Sequence, residues 1–282
     1  MTLGELVERV AGWLERLMPA DDRRDQLVLE LQQRFGADPT EVTAAACREV
    51  ERVAWAYSRH LLLVFEPDGT DPADEVSKGW PPPDGEDIKR RAGGVGEVRR
   101  LAGGTALIRV DALDAVGPAR PFVEAAVTLA GGAERIVLDL RGNGGGDPAT
   151  LALIAGRLLG DEATKLSEVV YRDRRRQWWT PDLAPGTALT QPVAVLVGEG
   201  TFSSGEALAY HLQARGRVTV VGTRTPGAAD HITPIRLGPS VLGLLPEAYV
   251  VDSHTGTNWE GRGVVPDVSC PADEALAAAL RL

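Results

Sequence analysis

Apolar residues near the start of the chain recur every three or four positions, the spacing of one helix face. A capping-box pattern at Thr2 and Glu5 marks the start of the first predicted helix. A second predicted helix starts at Asp21-Asp22. A third starts at Asp38-Pro39-Thr40-Glu41, with Pro39 at the first helical position. We therefore predict an N-terminal three-helix domain over residues 1–62.

The periodicity changes beyond this region. An apolar run at residues 61–65 predicts a strand, and a segment rich in Pro, Gly and Asp follows it (EPDGTDPADEVSKGWPPPDGED). This composition predicts a loop or linker over residues 63–97.

From residue 98 onward, short apolar runs alternate with helical patterns, which indicates an α/β sheet covered on both faces. Residues 232–252 have the pattern of a hairpin, and the last ten or so residues that of a short helix. We predict an α/β domain over residues 98–282. The predicted strands are Thr105–Val110, Arg135–Leu140, Val193–Val197 and Val218–Val221, and the predicted helices are Ala119–Ala130, Pro148–Leu159 and Ser204–Arg215.

Composition narrows the function classes. The 282 residues are 44% hydrophobic with a net charge of -10, which suits a folded acidic protein and disfavours a nucleic-acid partner. No apolar stretch is long enough to cross a membrane, and Cys47 and Cys270 lack metal-site spacing. Acidic residues stand where a signal peptide would be basic, so we expect a cytoplasmic protein.

A glycine cluster, RGNGGGD, follows the apolar strand at residues 135–140. Backbone N–H groups of such a turn, next to a helix start at Pro148, can bind an anion. The anion could be a phosphate or a developing oxyanion. The spacing fits neither a P-loop nor G-x-G-x-x-G, and the cluster could also be a turn that serves only geometry.

A second strand-turn-helix junction carries the pattern Phe202-Ser203-Ser204-Gly205-Glu206. A serine at a helix start can be a nucleophile whose oxyanion meets the next amide. The same residues also form an S-x-x-E capping box, so a purely structural cap is the alternative.

Together these segments resemble the S41 serine peptidases, which include C-terminal processing proteases, the tricorn core and the modules of interphotoreceptor retinoid-binding protein. The likeness rests on IVLDLRGNGGG, VAVLVGEGTFSSGEALAYHL, VVGTRTPGAAD and WEGRGVVPD, in the family's order from Ile136 to Asp267. It implies a ClpP/crotonase-like α/β catalytic domain.

The resemblance also implies a set of site residues. Ser203 would be the nucleophile, and the amides of Gly146 and Ser204 would bind the oxyanion. Ala228 stands where processing proteases have their lysine, so the tricorn-like branch without a PDZ domain is favoured. In that branch His60 would be the base and Glu260 its supporting carboxylate.

The sequence leaves alternatives for the roles of several other residues. His231 and His254 are rival bases, and His211 is expected to pack or to face solvent. Gly145, Gly227 and His231 are candidates for substrate contact. The chemistry requires no metal and no cofactor. The basic run at residues 172–176 with Trp178-Trp179 predicts an exposed edge strand, with a substrate-facing wall as the alternative.

We therefore expect a serine peptidase that acts on a peptide or unfolded protein through an acyl-enzyme and a Ser-His-Glu triad. The alternatives are a ligand-binding module of the same fold and a serine esterase or peptide-tailoring enzyme of a biosynthetic pathway. A homo-oligomer is left open.

Overall fold

The computed structural model describes residues 1–67 and 80–282. It is a mixed α/β structure, which confirms the predicted fold class. In chain order its elements are α1 (Leu3–Leu17), α2 (Asp22–Phe35), α3 (Ala44–Ala54), β1 (Leu62–Phe65), α4 (Gly85–Arg90), β2 (Val95–Arg100), β3 (Thr105–Val110), α5 (Val116–Ala130), β4 (Arg135–Asp139), α6 (Pro148–Leu159), β5 (Lys165–Tyr171), β6 (Arg175–Trp179), β7 (Val193–Val197), α7 (Ser204–Ala214), β8 (Val218–Gly222), β9 (Asp230–Gly238), β10 (Val241–Asp252), β11 (Val268–Ser269) and α8 (Ala275–Ala279).

These elements form two compact units. Unit 1 comprises Met1–Pro82, Val169–Arg176 and Ala229–Val250, and unit 2 comprises Pro83–Glu168, Gln177–Ala228 and Val251–Leu282. The N-terminal helices thus share a unit with two segments from the second half of the chain. The three-part division at residues 1–62, 63–97 and 98–282 stays a prediction.

Unit 1 is built on the amphipathic helices. The capping box of α1 is formed, since Thr2 N–H donates to Glu5 Oε2 at 2.8 Å and Glu5 N–H to Thr2 Oγ1 at 3.2 Å. The apolar faces of α1, α2 and α3 share one core with the strands β1, β9 and β10. Strand β10 pairs antiparallel with both β1 and β9, which confirms the hairpin predicted at residues 232–252.

Helix α3 begins later than the pattern at Asp38-Pro39 predicts. Thr43 is its N-cap, and its side chain accepts from the amide of Ala46. The backbone before Thr43 is instead hydrogen-bonded to the first turn of α1. Leu3 N–H donates to Thr40 O at 2.8 Å, and Gly4 N–H donates to Asp38 O at 3.0 Å. These bonds accompany a non-helical backbone at residues 38–42, so the tertiary contact overrides the local helix signal.

The predicted linker contains regular structure on either side of residues 68–79, which lie outside the described residues. Asp84 caps α4 by accepting from the amides of Glu86 and Asp87, and Ile88 is buried. Strand β2 then pairs antiparallel with β3. A capped helix and a paired strand thus lie in a segment whose composition predicts a loop.

The core of unit 2 is a six-stranded sheet in the order β11-β8-β7-β4-β3-β2, parallel except for β2. Alternate side chains serve its two faces, as expected for strands buried on both sides. Leu107, Val137 and Leu196 pack with α8, while Ile108, Ile136 and Leu138 face α5 and α6. Because β4 and β7 are neighbours, the loops at their carboxyl ends emerge side by side.

Two sequence expectations concern membranes and metals. Among the residues that the structure describes, no helix combines the length and apolar character needed to cross a membrane. Within the same residues, no group of three or more His, Cys, Asp and Glu side chains is arranged to hold a metal ion.

Candidate active site

Ser203 lies at the junction between β7 and α7 in a strained backbone conformation, with φ 52° and ψ -123°. Ala92 is the other non-glycine residue with a positive φ in the described part of the chain. Such a conformation costs about 1–3 kcal/mol and persists when its surroundings hold it. Here it presents the serine at the positive end of an eleven-residue helix.

Asn143 ties the glycine loop to this turn. Its side chain is fully buried, and Nδ2 donates to Val110 O at 2.9 Å while Oδ1 accepts from Gly145 N–H at 2.9 Å. The carbonyl of Asn143 accepts from Phe202 N–H at 2.9 Å, one residue before Ser203. Sequence reasoning missed this residue, although an asparagine inside a run of glycines was the available signal.

Two glycines let the loop approach the serine. Gly145 has φ 98°, and a Cβ there would lie 2.8 Å from the Cβ of Ser203. Gly146 has φ 131°, and a Cβ there would lie 2.0 Å from the carbonyl oxygen of Leu113. Neither contact is compatible with a side chain, so Gly145 lets the β4–α6 loop approach the Ser203 turn and Gly146 lets it approach Leu113.

The amides of Gly146 and Ser204 have the property that an oxyanion donor requires. The neighbouring amides are engaged, since Gly145 N–H donates to Asn143 Oδ1 and Asp147 N–H to Leu113 O. No acceptor among the described residues takes a hydrogen bond from Gly146 N–H or Ser204 N–H. The two residues are joined by a bond from Ser204 Oγ to Gly146 O at 2.8 Å, and Gly146 is exposed.

Glu206 is a fully buried carboxyl group beneath the Ser203 turn. Its Oε2 accepts from the amides of Ser203 at 3.0 Å and Ala228 at 2.8 Å, and its Oε1 accepts from Thr225 Oγ1 at 2.5 Å and Gly227 N–H at 2.7 Å. Burial raises the pKa of Glu206, and the four hydrogen bonds oppose that rise. The sequence suggested only a cap here, whereas the residue joins the Ser203 turn to residues 225–228.

The same bonds reach the segment that carries Glu260. Gly261 N–H donates to Gly227 O at 2.8 Å, and Val264 N–H donates to Thr225 Oγ1 at 2.7 Å. A continuous path of hydrogen bonds therefore runs from Ser203 through Glu206 to the backbone beside Glu260. The amide of Glu260 itself is held by Asn258 Oδ1 at 3.0 Å.

Helix α7 also supports this segment through aromatic contacts. Trp259 is buried, its ring centroid lies 5.8 Å from that of His211, and its Nε1–H donates to Ala228 O at 3.2 Å. His211 packs in the interior, one of the two outcomes expected for it, with Nδ1 2.7 Å from Asp252 Oδ2. Burial lowers the pKa of His211.

His60 lies in unit 1 and is 3% exposed. Its N–H donates to Ser58 Oγ at 3.3 Å. Burial lowers the pKa of His60 to about 4; the charge of Asp230 and a hydrogen bond to its backbone oppose this, and His231 adds to it. The imidazole is therefore neutral, and able to accept a proton, across the physiological range.

The rival histidines have different surroundings. His231 belongs to unit 1, is partly buried and has Nδ1 2.9 Å from Glu247 Oε1. His254 belongs to unit 2 and is exposed.

The structure brings some of the predicted site residues together. In unit 2 it joins Ser203, Ser204, Gly145, Gly146 and Gly227, with Glu260 in the adjoining segment. His60 and His231 are residues of unit 1.

The end of the basic run, from Arg175, forms the edge strand that the sequence predicts, and residues 172–174 lie between β5 and β6. Strand β6 is terminal in the order β1-β10-β5-β6, and its arginines are exposed. Trp179 is 48% exposed.

Comparisons with known proteins identify the family. The model of peptidase family S41 matches residues 104–270, more than half of the chain. A carboxyl-terminal-processing protease of Synechocystis sp. is 39% identical over 171 residues, covering 54% of this chain and 37% of that protein. One of Picosynechococcus sp. is 34% identical over 145 residues, covering 44% of this chain and 34% of that protein.

The chain thus spans about a third of the length of these curated relatives. A solved structure of a peptidase candidate from Parabacteroides merdae matches 100% of this chain and 96% of its own, with a TM-score of 0.67 and 16% identity, which shows a shared fold. On the family match, the chain belongs to peptidase family S41.

Proposed function

We propose that this protein is a serine peptidase that hydrolyses peptide bonds of a peptide or unfolded protein through an acyl-enzyme. The observation that carries the proposal is the strained Ser203 at the start of α7, beside two amides without an acceptor in the described residues. Membership of family S41 supports the same reaction class. The activity proposed for this chain is that of a serine-type hydrolase.

The proposed reaction has two halves. Ser203 Oγ attacks the substrate carbonyl and its proton passes to His60, while the oxyanion accepts bonds from Gly146 N–H and Ser204 N–H. His60 then gives that proton to the leaving amine, which departs and leaves an acyl-enzyme. Water repeats the sequence and releases the acid, with Glu260 as the carboxylate that orients His60.

A histidine suits this chain better than a lysine as the base. Ala228 stands where the processing proteases have their lysine. It is fully buried, and its N–H donates a hydrogen bond to Glu206 Oε2. Burial keeps His60 neutral at pH 7, so it can accept the serine proton. This supports the tricorn-like branch and its Ser-His-Glu triad. Gly145, Gly227 and His231 are proposed to line the substrate path.

The test is covalent labelling followed by turnover. A fluorophosphonate probe should label the full chain at one residue, and both Ser203→Ala and His60→Ala should abolish labelling. Glu260→Gln should lose less than either, because an orienting carboxylate does not itself react. Ser269→Ala, which changes an exposed serine of β11, should be labelled like the natural chain.

A panel of unfolded proteins, peptides and activated esters then separates the reaction classes. Cleavage of peptides that disappears in Ser203→Ala supports the peptidase. Hydrolysis of esters alone would point to an esterase or tailoring enzyme. Full turnover in Ser203→Ala would overturn the proposal, and an unlabelled chain that binds an apolar ligand would favour a ligand-binding module.

A further inference from the structure

Asp230, the first residue of β9, is held by an arginine of unit 1. Its side chain is fully buried, and Arg23 of α2 grips it with bonds of 3.0 Å (Nη1 to Oδ2) and 2.8 Å (Nη2 to Oδ1). A bidentate arginine fixes a carboxylate in one orientation. Arg23 Nη1 also donates to the carbonyl of Tyr57 at 3.2 Å, so the same guanidinium anchors the turn that leads to His60.

Ser58 connects this pair to the histidine. It is 1% exposed, and its Oγ–H donates to Asp230 Oδ2 at 2.7 Å. The same oxygen accepts from His60 N–H at 3.3 Å. Because Asp230 is an obligatory acceptor, it fixes the direction of the hydroxyl proton and leaves the oxygen lone pair for His60.

The imidazole of His60 itself interacts with Asp230. A hydrogen bond to the Asp230 backbone and the charge of its carboxylate both favour the protonated ring. A bond with that effect is donated by the ring, and its backbone acceptor is a carbonyl. A ring N–H committed to a carbonyl sets which nitrogen carries the proton in the neutral form.

The other charges around His60 leave this influence in place. His231, the next residue of β9, disfavours the imidazolium, and Arg23 behind Asp230 carries the opposite charge to the carboxylate. The Arg23 side chain is 26% exposed whereas that of Asp230 is fully buried. Water screens the arginine more than the aspartate, so the net effect at His60 is that of a negative charge.

We propose that Asp230 is a positioning residue for His60. Its backbone carbonyl fixes the tautomer of the neutral ring, and its carboxylate stabilises the imidazolium formed when Ser203 attacks. The inference rests on the proposed function, in which His60 is the base. It assigns a carboxylate from β9 a role that the family likeness gives to Glu260, and the two residues can be tested separately.

The experiment measures the rate constant of fluorophosphonate labelling of the full chain at pH 7. Asp230→Asn should slow labelling about tenfold or more, because an amide cannot stabilise the imidazolium. Ser58→Ala should slow it less, since Arg23 still holds Asp230. Glu66→Gln is the matched control: Glu66 also pairs with an arginine in unit 1, Arg236, at 2.7 Å, and this variant should react at the natural rate.

A second readout follows the ring directly. Nitrogen NMR of the four ¹⁵N-labelled histidines, assigned by single substitutions, should show His60 as one neutral tautomer in the natural chain. In Asp230→Asn the backbone carbonyl remains, so the tautomer should persist, while loss of the carboxylate charge should lower the pKa of His60. A change confined to folding would slow labelling through the amount of folded protein and would leave the His60 signals of the folded fraction as they were.

The outcomes separate the two proposals. Asp230→Asn labelled at the natural rate, or slowed with unchanged His60 signals, would overturn the role of Asp230. If Asp230→Asn does not fold, Ser58→Ala decides, and natural labelling and signals there would overturn it. Natural labelling of His60→Ala would instead overturn the proposed base, while the pKa of His60 in Asp230→Asn still reports whether the Asp230 carboxylate acts on the ring.

Discussion

Single buried polar residues determine how the candidate site is held. Asn143, Glu206 and Asp230 each join segments far apart in the sequence through several short hydrogen bonds. Each is costly to bury unless its partners are in place, so it specifies one arrangement of the loops around it. The sequence pointed to Ser203 and Gly146 because reactive and glycine residues have local signatures. It missed Asn143 and Asp230, and it suggested only a capping role for Glu206, because their other partners become neighbours only in the fold.

The burial of His60 makes a prediction about pH. With a pKa of about 4, the ring should stay neutral far into the acid range, because protonation places a charge in a buried site. The labelling rate constant of Ser203 should therefore stay nearly constant from about pH 8 down to about pH 5.5 and fall only below that.

The measurement is the pH profile of fluorophosphonate labelling, with circular dichroism at each pH to show that the chain remains folded. An acid limb centred near pH 6.5, the value of an unperturbed imidazole, would contradict a buried base. The His254→Gln variant, which changes an exposed histidine, should give the same profile as the natural chain.

At the scale of elements, local signals succeed where no distant segment competes with them. Helix α1 has the predicted capping box, and α6 begins at Pro148 as its pattern indicates. Helix α3 fails to begin at Asp38-Pro39 because those residues bond to the first turn of α1. The β4–α6 loop shows the same dependence on context, since its glycines are required by the backbone of Leu113 and the Ser203 turn.

Gly146 gives a test of that loop. Gly146→Ala places a methyl group 2.0 Å from the Leu113 carbonyl at a φ of 131°, so we expect a loss of about 2–4 kcal/mol in the free energy of unfolding. Gly144→Ala is the matched control, because no atom of the described residues lies within 4 Å of the Cβ position. It should cost under about 0.5 kcal/mol.

Thermal and urea unfolding measure both variants. Equal midpoints for Gly146→Ala and Gly144→Ala would show that the loop relaxes around the methyl group. That result would contradict a β4–α6 loop packed tightly against Leu113.

At the scale of the whole molecule, the sequence predicts which helices and strands form better than it predicts which of them share a unit. A helical N-terminus and a parallel α/β sheet both follow from periodicity. The grouping of β9 with α1, α2 and α3 in unit 1 does not, because the apolar faces of a hairpin carry no mark of which helices will cover them.

That grouping can be tested with a fragment. Residues 83–282, expressed alone, keep α4 and the whole of β2 but lack the helices that cover four hydrophobic side chains of β9 and β10, namely Ile235, Leu237, Val241 and Leu245. Each buried side chain of this kind contributes about 1.5–3 kcal/mol, so the fragment should aggregate or bind a hydrophobic dye while the full chain does not.

Supplying residues 1–67 as a separate chain should restore solubility, since that segment carries all three helices and β1. Unfolding of the fragment by urea, followed by circular dichroism and size-exclusion chromatography, provides the measurement. A monomeric fragment that unfolds cooperatively would show that residues 83–282 fold without the N-terminal helices. The helices would then be an addition to the peptidase fold, whereas an insoluble fragment means that the hairpin cannot fold without them.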